Sequence, residues 1–354
     1  TVTQLHWGGG TPTYLKPDEI RQLMAMLRRY FQFADEGEIS IEVDPREIDL
    51  SLLDVLKEVG FNRLSLGVQD FDKSVQVAVN RVQDNDFIRA LLMRAKELGF
   101  RSTNLDLIYG LPLQTRASFR HTLEQVVQTA PARLSIFNYA HLPSRFAGQH
   151  KIKDETLPPP AEKLAILQET IEYLTGEGYQ YIGMDHFALP DDELAVAQRE
   201  GKLHRNFQGY TTQGECDLLG LGVSSISMLG DAYSQNQKDL KLYYAAVSAQ
   251  GQAQWKGCAL SRDDLIRRDV IKQLICNFQL SFADIAERYA LDFQDYFAQD
   301  LALLRPFVED GLVLLDESGI RVPATGRLLI RNICMCFDSY LRERARQQQF
   351  SRVI

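Results

Sequence analysis

Short runs rich in β-forming residues alternate along the first half of the chain with longer runs whose apolar residues recur at helical spacing. Runs of the first kind are typical of strands, and runs of the second kind are typical of helices that bury one face. Strands are predicted over residues 3–7, 38–43, 63–68, 104–109, 133–138 and 179–184. Helices are predicted over residues 17–29, 50–59, 84–98, 115–129 and 161–175. This alternation predicts an α/β domain in which helices cover a parallel sheet.

Polar and glycine residues collect where the predicted strands end. In barrels and open parallel sheets, ligands bind at the carboxyl ends of the strands, where side chains from many strands converge. Each residue alone has an equally ordinary explanation as a cap or turn residue, but their recurrence at strand after strand favours a pocket. The residues are Gly8, Gly9, Gly10, Thr11, Glu42, Asp44, Gln69, Asp70, Asp106, Asn138, Asp185 and His186.

The second half of the chain has a different pattern of residues. A basic, irregular stretch bracketed by prolines follows residue 142 and is predicted to be a long loop or lid, and a polar, Gly-rich stretch covers residues 191–227. From about residue 261 the sequence predicts helices followed by a hairpin, an arrangement that resembles a winged helix. We therefore expect a catalytic α/β domain over residues 1–250 and a mostly helical C-terminal domain over residues 251–354.

Charge and composition narrow the classes of function. The chain has 354 residues, 45% of them hydrophobic, and a net charge of −8. An acidic balance argues against a nucleic-acid surface, which normally has a basic domain. No run of about 18 apolar residues is present to span a bilayer, and the start lacks the pattern of a signal peptide. The protein is expected to be cytoplasmic.

The cysteines do not form a recognisable metal-binding or disulfide pattern. Only Cys334 and Cys336 are close in sequence, and iron–sulfur sites need several thiolates spaced so that they reach one cluster. Buried apolar thiols in a reducing compartment are the simpler explanation. The cysteines are Cys216, Cys258, Cys276, Cys334 and Cys336.

Two candidate sites follow the first two predicted strands. The glycine triplet at residues 8–10 lies between a strand and a helix, where bare backbone lets a ligand approach closely, although a structural tight turn would also explain it. Glu42 and Asp44 point to the same side of their strand. Either carboxylate could hold a ribose diol, and solvated charge at a strand end is equally plausible.

Asp106, Arg81 and His186 each leave two explanations open. Asp106 lies within an apolar strand, and a buried carboxylate needs a partner, which could be a ligand or an internal arginine. For Arg81 the default is a solvated side chain. For His186, beside Asp185, a hydrogen-bonded structural role is favoured over acid–base chemistry.

Taken together, eight strings resemble the oxygen-independent coproporphyrinogen III oxidases, in order and over essentially the whole chain. That family's fold is a partial barrel of about six strand–helix units followed by a helical C-terminal domain. The family's cluster motif, Cys-x3-Cys-x2-Cys, has no match here, so we expect the chain to lack the N-terminal segment with the first strand and the cluster ligands, and to be inactive alone. The strings are LHWGGGTPTYL, EISIEVDPREI, RLSLGVQDF, DLIYGLPLQT, FNYAHLP, YIGMDHFALPDDELA, HRNFQGYTTQG and RNICMCFD.

The resemblance implies a set of ligand-binding residues. Gly9 and Glu42 would hold the S-adenosylmethionine (SAM) bound to a 4Fe-4S cluster, with Ile226 packed on the same ligand. A second SAM would lie beside the first, and Gln208 would line the substrate side. The positions implied for the second SAM are Gly10, Thr11, Gln69, Arg81, Asp106 and Ala140.

The resemblance also implies a reaction and its partners. The family is expected to convert two propionates of coproporphyrinogen III to vinyl groups with a SAM-derived radical, taking electrons from a donor such as flavodoxin or ferredoxin, and to act as a monomer when complete. Related haem chaperones and, from the winged-helix-like part, a DNA-binding regulator are the competing interpretations. Candidate cations for the substrate carboxylates are Arg145, Lys151, Lys153 and Arg205.

Overall fold

The computed structural model describes residues 1–344, which fall into two compact units. The first unit covers Thr1–Ala195 and the second begins at Val196. The domain boundary predicted from the sequence, between residues 250 and 251, stays a prediction. Within the described residues, no helix is both long and apolar enough to cross a membrane.

The first unit contains all of the strands and helices predicted for it, with ends shifted by a few residues. Its strands are β1 Val2–Trp7, β2 Phe33–Val43, β3 Arg63–Gln69, β4 Ser102–Tyr109, β5 Arg133–Asn138, β6 Gln180–Gly183 and β7 His186–Ala188. Its helices are α1 Pro17–Tyr30, α2 Ser51–Val59, α3 Lys73–Ala78, α4 Asn85–Glu97, α5 Arg116–Thr129 and α6 Pro160–Gly176, and α7 Glu193–Arg199 crosses into the second unit. Short 3-10 turns occupy Pro12–Tyr14, Ala147–Lys151 and Asp154–Thr156.

The seven strands form one sheet in the order β1-β2-β3-β4-β5-β7-β6. Strands β1 to β5 pair in parallel, which confirms the predicted parallel sheet. The sixth predicted strand does not lie beside the fifth, because the chain turns back after β6 and inserts β7 antiparallel to both neighbours. Met184 makes this turn with a left-handed φ of 52°. Strand β6 therefore keeps the direction of β5 but stands one place further out.

The two faces of this sheet differ in polarity. On one face, apolar side chains such as Ile41, Leu66 and Leu107 pack against the helices in a continuous core. Parallel strands covered on both faces are normally apolar on both, but here alternate residues on the opposite face are polar. A polar face running across five parallel strands is suited to binding a ligand. Its residues include His6, Ser40, Glu42, Ser65, Asn104, Asp106 and Ser135.

Ion pairs close one end of the polar face. Arg63, which is only 6% exposed, places Nε 3.2 Å from Glu38 Oε2 and Nη2 2.6 Å from Glu193 Oε2. Beside it, Arg133 Nε lies 2.9 Å from Asp192 Oδ2. These pairs join β2, β3 and β5 to the segment that leads into α7, at the end of the sheet opposite the glycine turn.

Replacing Arg63 with methionine should lower the free energy of unfolding by about 3 kcal/mol, because it leaves Glu38 poorly solvated and without its cation. Chemical denaturation followed by circular dichroism measures the change. Arg21→Met is the matched control, since Arg21 pairs with Glu58 on the exposed surface and such pairs contribute little. Equal denaturation midpoints for the two variants would contradict the structural role of Arg63.

The second unit consists of small antiparallel sheets and helices. Its strands are β8 His204–Asn206, β9 Gly209–Thr211, β10 Ile226–Leu229, β11 Ala232–Asn236, β12 Gln254–Ala259, β13 Gln279–Ser281, β14 Leu314–Leu315 and β15 Gly319–Arg321. Its helices are α8 Leu240–Gln250, α9 Arg262–Asn277, α10 Phe282–Tyr289, α11 Phe293–Tyr296, α12 Ala298–Glu309, α13 Ile330–Met335 and α14 Ser339–Arg344, with a 3-10 turn at Ala324–Leu329. Strands β13, β15 and β14 form an antiparallel sheet after α9. The C-terminal domain is mostly helical, as predicted, and the winged-helix likeness stays a prediction.

Candidate cofactor and substrate site

A glycine turn follows β1 and begins the site. Gly9 and Gly10 have φ values of 77° and 61°, which L-residues with side chains rarely adopt. Apart from the neighbouring residues in the chain, no heavy atom of residues 1–344 lies within 4 Å of the position where a Cβ would stand on either glycine. The turn therefore presents bare backbone to open space, as the sequence analysis expected of a ligand-binding turn.

Glu42 is bound directly to this turn. The Gly9 backbone N–H donates to Glu42 Oε2 over 3.2 Å, and Glu42 Oε1 lies 3.4 Å from His6 Nε2. The hydrogen bond with His6 and its charge, together with the Gly9 amide, outweigh burial and lower the pKa of Glu42. The carboxylate is therefore ionised at neutral pH and is held beside the turn.

His6 was missed by the sequence analysis. Its Nδ1 lies 2.8 Å from Ser40 Oγ, so both ring nitrogens of His6 contact side chains of β2. A Cβ atom at Gly8 would lie 2.5 Å from His6 Nε2 and 2.8 Å from Glu42 Oε1. Gly8 is thus needed for the His6–Glu42 contact, whereas Gly9 and Gly10 are needed for the turn itself.

Asp106 lies at the centre of a neutral hydrogen-bond network. Ser65 Oγ donates to Asp106 Oδ2 over 3.0 Å, and Asn104 Nδ2 donates to Oδ1 over 2.7 Å. Ser135 Oγ in turn donates to Asn104 Oδ1 over 3.2 Å. Burial raises the pKa of Asp106, opposed by these hydrogen bonds, and the charge of Glu42 raises it further.

This network bears on the two explanations left open for Asp106. Its hydrogen-bond partners in the described residues are neutral side chains, and no arginine pairs with it. A buried carboxyl group without a partner is costly to the fold, and these hydrogen bonds reduce that cost. The internal arginine pair is therefore not found in the described residues, and the ligand contact stays a prediction.

Arg81 is not the solvated residue that its sequence context suggested. Its Nη2 donates to the Gly67 carbonyl over 2.7 Å, and its Nη1 lies 3.3 Å from Asp44 Oδ2. Arg46 Nη2 lies 2.7 Å from the same Asp44 oxygen. Asp44 is therefore occupied by two arginines, which leaves Glu42 as the better candidate for a ribose among these two carboxylates.

Gln69 and Arg81 meet above Gly67. A Cβ atom at Gly67 would lie 3.0 Å from Gln69 Nε2 and 3.1 Å from Arg81 Nη2. Gln69 has a left-handed φ of 68°, at a break in the β3–β4 register. Such strain in a residue with a side chain is typical of functional sites. The register also pairs Gly67 with Asp106 and Glu42 with Ser65, so these side chains share one region of the polar face.

The remaining predicted residues fall into three groups. Thr11 and Ala140 are exposed beyond the ends of β1 and β5. Gln208 lies in the turn between β8 and β9, and Ile226 begins β10, so both belong to the second unit and their ligand roles stay predictions. Asp70 does not belong to the site: it is buried and accepts hydrogen bonds from Thr122, Gln114 and the Asp72 amide.

The cysteines offer no cluster site in residues 1–344. Cys216 and Cys258 are exposed, and the other three are buried. Burial raises the pKa of Cys276 to about 12, which disfavours the thiolate that binds iron. No group of three or more His, Cys, Asp or Glu in this part of the chain could hold a metal ion. The open turn and the carboxylates of the polar face fit SAM, whereas none of these residues fits an iron–sulfur cluster.

Comparison with known proteins identifies the family of both parts of the chain. Residues 1–126 match the Radical SAM superfamily and residues 260–329 match the HemN C-terminal domain. The oxygen-independent coproporphyrinogen III oxidase of Escherichia coli K12 is 68% identical over 353 residues, covering 100% of this chain and 77% of that protein. The Pseudomonas aeruginosa enzyme of the same name is 54% identical over 355 residues, covering 100% and 77%.

A solved structure extends the likeness to three dimensions. The E. coli coproporphyrinogen III oxidase (HemN), described as a radical SAM enzyme, superposes with a TM-score of 0.95 at 67% identity, covering 96% of this chain and 78% of that one. Identity at this level over the full chain, together with the open glycine turn and the polar sheet face, assigns the protein. The chain belongs to the oxygen-independent coproporphyrinogen III oxidase family of radical SAM enzymes.

Proposed function

We propose that this chain forms the main part of an oxidoreductase that converts two propionate side chains of coproporphyrinogen III to vinyl groups, giving protoporphyrinogen IX in haem biosynthesis. The observation that carries the proposal is the 68% identity to the E. coli oxidase across the whole chain. The polar face of the sheet supports it, because its Glu42 side chain accepts a hydrogen bond from the open glycine turn.

We propose positions for two SAM molecules. One SAM is held at Gly9 and Glu42, a second SAM is held by the polar residues next to them, and the contact of Ile226 with the first SAM stays a prediction. When bound, SAM would supply the radical chemistry that takes a hydrogen atom from a propionate β-carbon and so allows the carboxyl group to leave as CO2. The second position comprises Gly10, Thr11, Gln69, Arg81, Asp106 and Ala140.

The protein's own contribution is binding, orientation and exclusion of water. Gly9 offers its backbone to the ligand while its amide fixes the Glu42 carboxylate, and His6 fixes the other oxygen of that carboxylate. Asp106 offers a buried carboxyl group to the ligand, and Ser65 and Asn104 keep it oriented. Such pre-positioned groups lower the entropic cost of bringing a radical to one carbon–hydrogen bond.

The described residues include no set of ligands for the cluster, and they do not identify its electron donor. A 4Fe-4S cluster would be needed to reduce SAM, and flavodoxin or ferredoxin is the class of donor that we propose for it. Because the relatives are longer than the matched region, the reaction is best tested in a chimera, in which this chain replaces the matched 353 residues of the E. coli oxidase.

The chimera, reconstituted anaerobically with iron, sulfide, SAM and a reductant, should convert coproporphyrinogen III to protoporphyrinogen IX. Chromatography of the oxidised porphyrins measures substrate and product. A chimera that binds haem and leaves coproporphyrinogen unchanged would contradict the proposal and favour the related haem chaperone.

The role of Glu42 can be measured as SAM affinity. In the chimera, Glu42→Ala should weaken SAM binding by about 1.5 to 3 kcal/mol, the usual worth of a hydrogen bond to a charged group. Equilibrium dialysis with radiolabelled SAM measures the dissociation constant, and Glu47→Ala, a nearby exposed glutamate, is the control. Unchanged affinity in Glu42→Ala would remove Glu42 from the site.

A further inference from the structure

Lys163 extends from α6 over the carboxyl ends of β4 and β5. Its side chain crosses Gly110, where an added Cβ would lie only 2.3 Å from Lys163 Cε. Its Nζ donates to the Tyr139 carbonyl over 3.0 Å. Gly110 directly follows β4, and Tyr139 directly precedes Ala140, a proposed SAM contact. The ammonium group therefore lies at the rim of the strand ends from which the site is built.

This ammonium group is half-buried and has no acidic partner in the part of the chain that the structure describes. Burial is the cause that lowers the pKa of Lys163, with no neighbouring charge contributing. Nearby acids are engaged elsewhere: Glu162 accepts from the Arg116 amide over 2.8 Å, and Asp154 lies 3.0 Å from His141 Nε2. Since an ammonium group can donate three hydrogen bonds, the bond to the Tyr139 carbonyl uses one of them.

Lys163 differs in this respect from the cations that the sequence analysis suggested for the substrate. Arg145, Lys151 and Lys153 are exposed, so water can solvate them fully. A cation that is partly removed from water favours an anionic group that can approach it. Gly110 keeps the approach open, because any side chain there would collide with the lysine stem.

The position of Lys163 suits an acid group at the edge of a large ligand. Asp106 precedes Tyr109 on β4 by three residues, which is about 10 Å along a strand. A tetrapyrrole that reacts beside the SAM proposed at Asp106 has further propionates, and one of these can reach the rim. We propose that Lys163 binds a propionate carboxylate of the substrate at the rim, an inference that rests on the proposed function.

The 354-residue chain can be tested directly with coproporphyrin III, whose fluorescence reports binding without turnover. Lys163→Gln should weaken binding of coproporphyrin III roughly tenfold, since a charge-assisted contact is lost, while binding of its neutral tetra-amide should stay unchanged. Lys163→Arg keeps the charge and should stay close to wild type. Lys96→Gln, an exposed lysine on α4, is the control for a simple loss of one positive charge.

The comparison of the two porphyrins separates substrate binding from a structural role. If Lys163 only fixed the Tyr139 carbonyl, Lys163→Gln would weaken the tetra-acid and the tetra-amide equally, and that result would overturn the inference. Equal affinity of Lys163→Gln and wild type for coproporphyrin III would also overturn it. No saturable binding by the wild-type chain would count against the proposed function as well as against Lys163.

Discussion

Replacing Gly8 with alanine should lower the SAM affinity of the chimera at least a hundredfold, about 2.7 kcal/mol. The added Cβ would stand 2.5 Å from His6 Nε2 and 2.8 Å from Glu42 Oε1. Because these groups cannot both keep their places, the substitution displaces the carboxylate and the ring together. The expected loss is therefore at least comparable to that of removing the Glu42 carboxylate alone.

A matched glycine controls for the substitution itself. Gly148 lies in a 3-10 turn, has no atom within 4 Å of an added Cβ and has no positive φ, so Gly148→Ala should bind SAM as the parent does. Equilibrium dialysis of both variants gives the comparison. If Gly8→Ala retained parental affinity, the His6–Glu42 contact would have no role in binding.

Replacing Asp106 with asparagine should lower turnover of the chimera roughly a hundredfold, while the fold becomes more stable at neutral pH. Turnover falls because the ligand loses its carboxyl partner, and misplacement of a reactant can cost about this much. Stability rises because the folded state holds the Asp106 pKa above its unfolded value. The stability tied to such an acid is complete below the unfolded pKa and is lost as the pH rises through the folded pKa.

The pH dependence of unfolding shows whether Asp106→Asn acts through the buried carboxyl group or through a general loss of stability. The parent should lose stability relative to Asp106→Asn as the pH rises from about 4 towards neutrality. Asp70→Asn is the control, since Asp70 is also buried with a raised pKa but contacts Thr122 and Gln114 among the helices. It should alter stability without changing SAM affinity. A lower melting temperature for Asp106→Asn would favour a structural role for Asp106.

The strands and helices of the first unit could be predicted because their pattern is local. A strand such as β5, Arg133–Asn138, has the same bounds in the sequence analysis and in the structure. The insertion of β7 could not be predicted, because three residues, His186–Ala188, are too few to give a pattern. Its pairing partners, β5 and β6, are set by tertiary contacts.

Candidate site residues could be selected from the sequence where they lie near strand ends. They could not be selected where their position depends on which strands pair with each other. Gly9 and Glu42 stand at strand ends and Asp106 lies three residues before the end of β4, and the sequence analysis selected all three as candidates. His6, Ser65 and Asn104 were missed, although the period-two alternation of polar residues in β1, β3 and β4 was a signal that could have revealed them. The register that brings Glu42 opposite Ser65 is not visible in any one strand.

No pattern in the sequence singles out Lys163. It lies in the first turn of α6, and its significance comes from two distant contacts, the Gly110 crossing and the Tyr139 carbonyl. The sequence analysis instead selected Arg145, Lys151, Lys153 and Arg205, the first three of which are exposed. Burial, which separates Lys163 from them, depends on the packing of α6 against the sheet.

The central claim is that this chain places a SAM-derived radical against the propionates of coproporphyrinogen III. It is tested most directly by supplying the reconstituted chimera with substrate deuterated at the propionate β-carbons and analysing 5′-deoxyadenosine, CO2 and porphyrin together. We predict deuterium in the 5′-deoxyadenosine and two molecules of CO2 for each protoporphyrinogen IX. SAM cleavage without deuterium transfer, or substrate binding without release of CO2, would contradict the account.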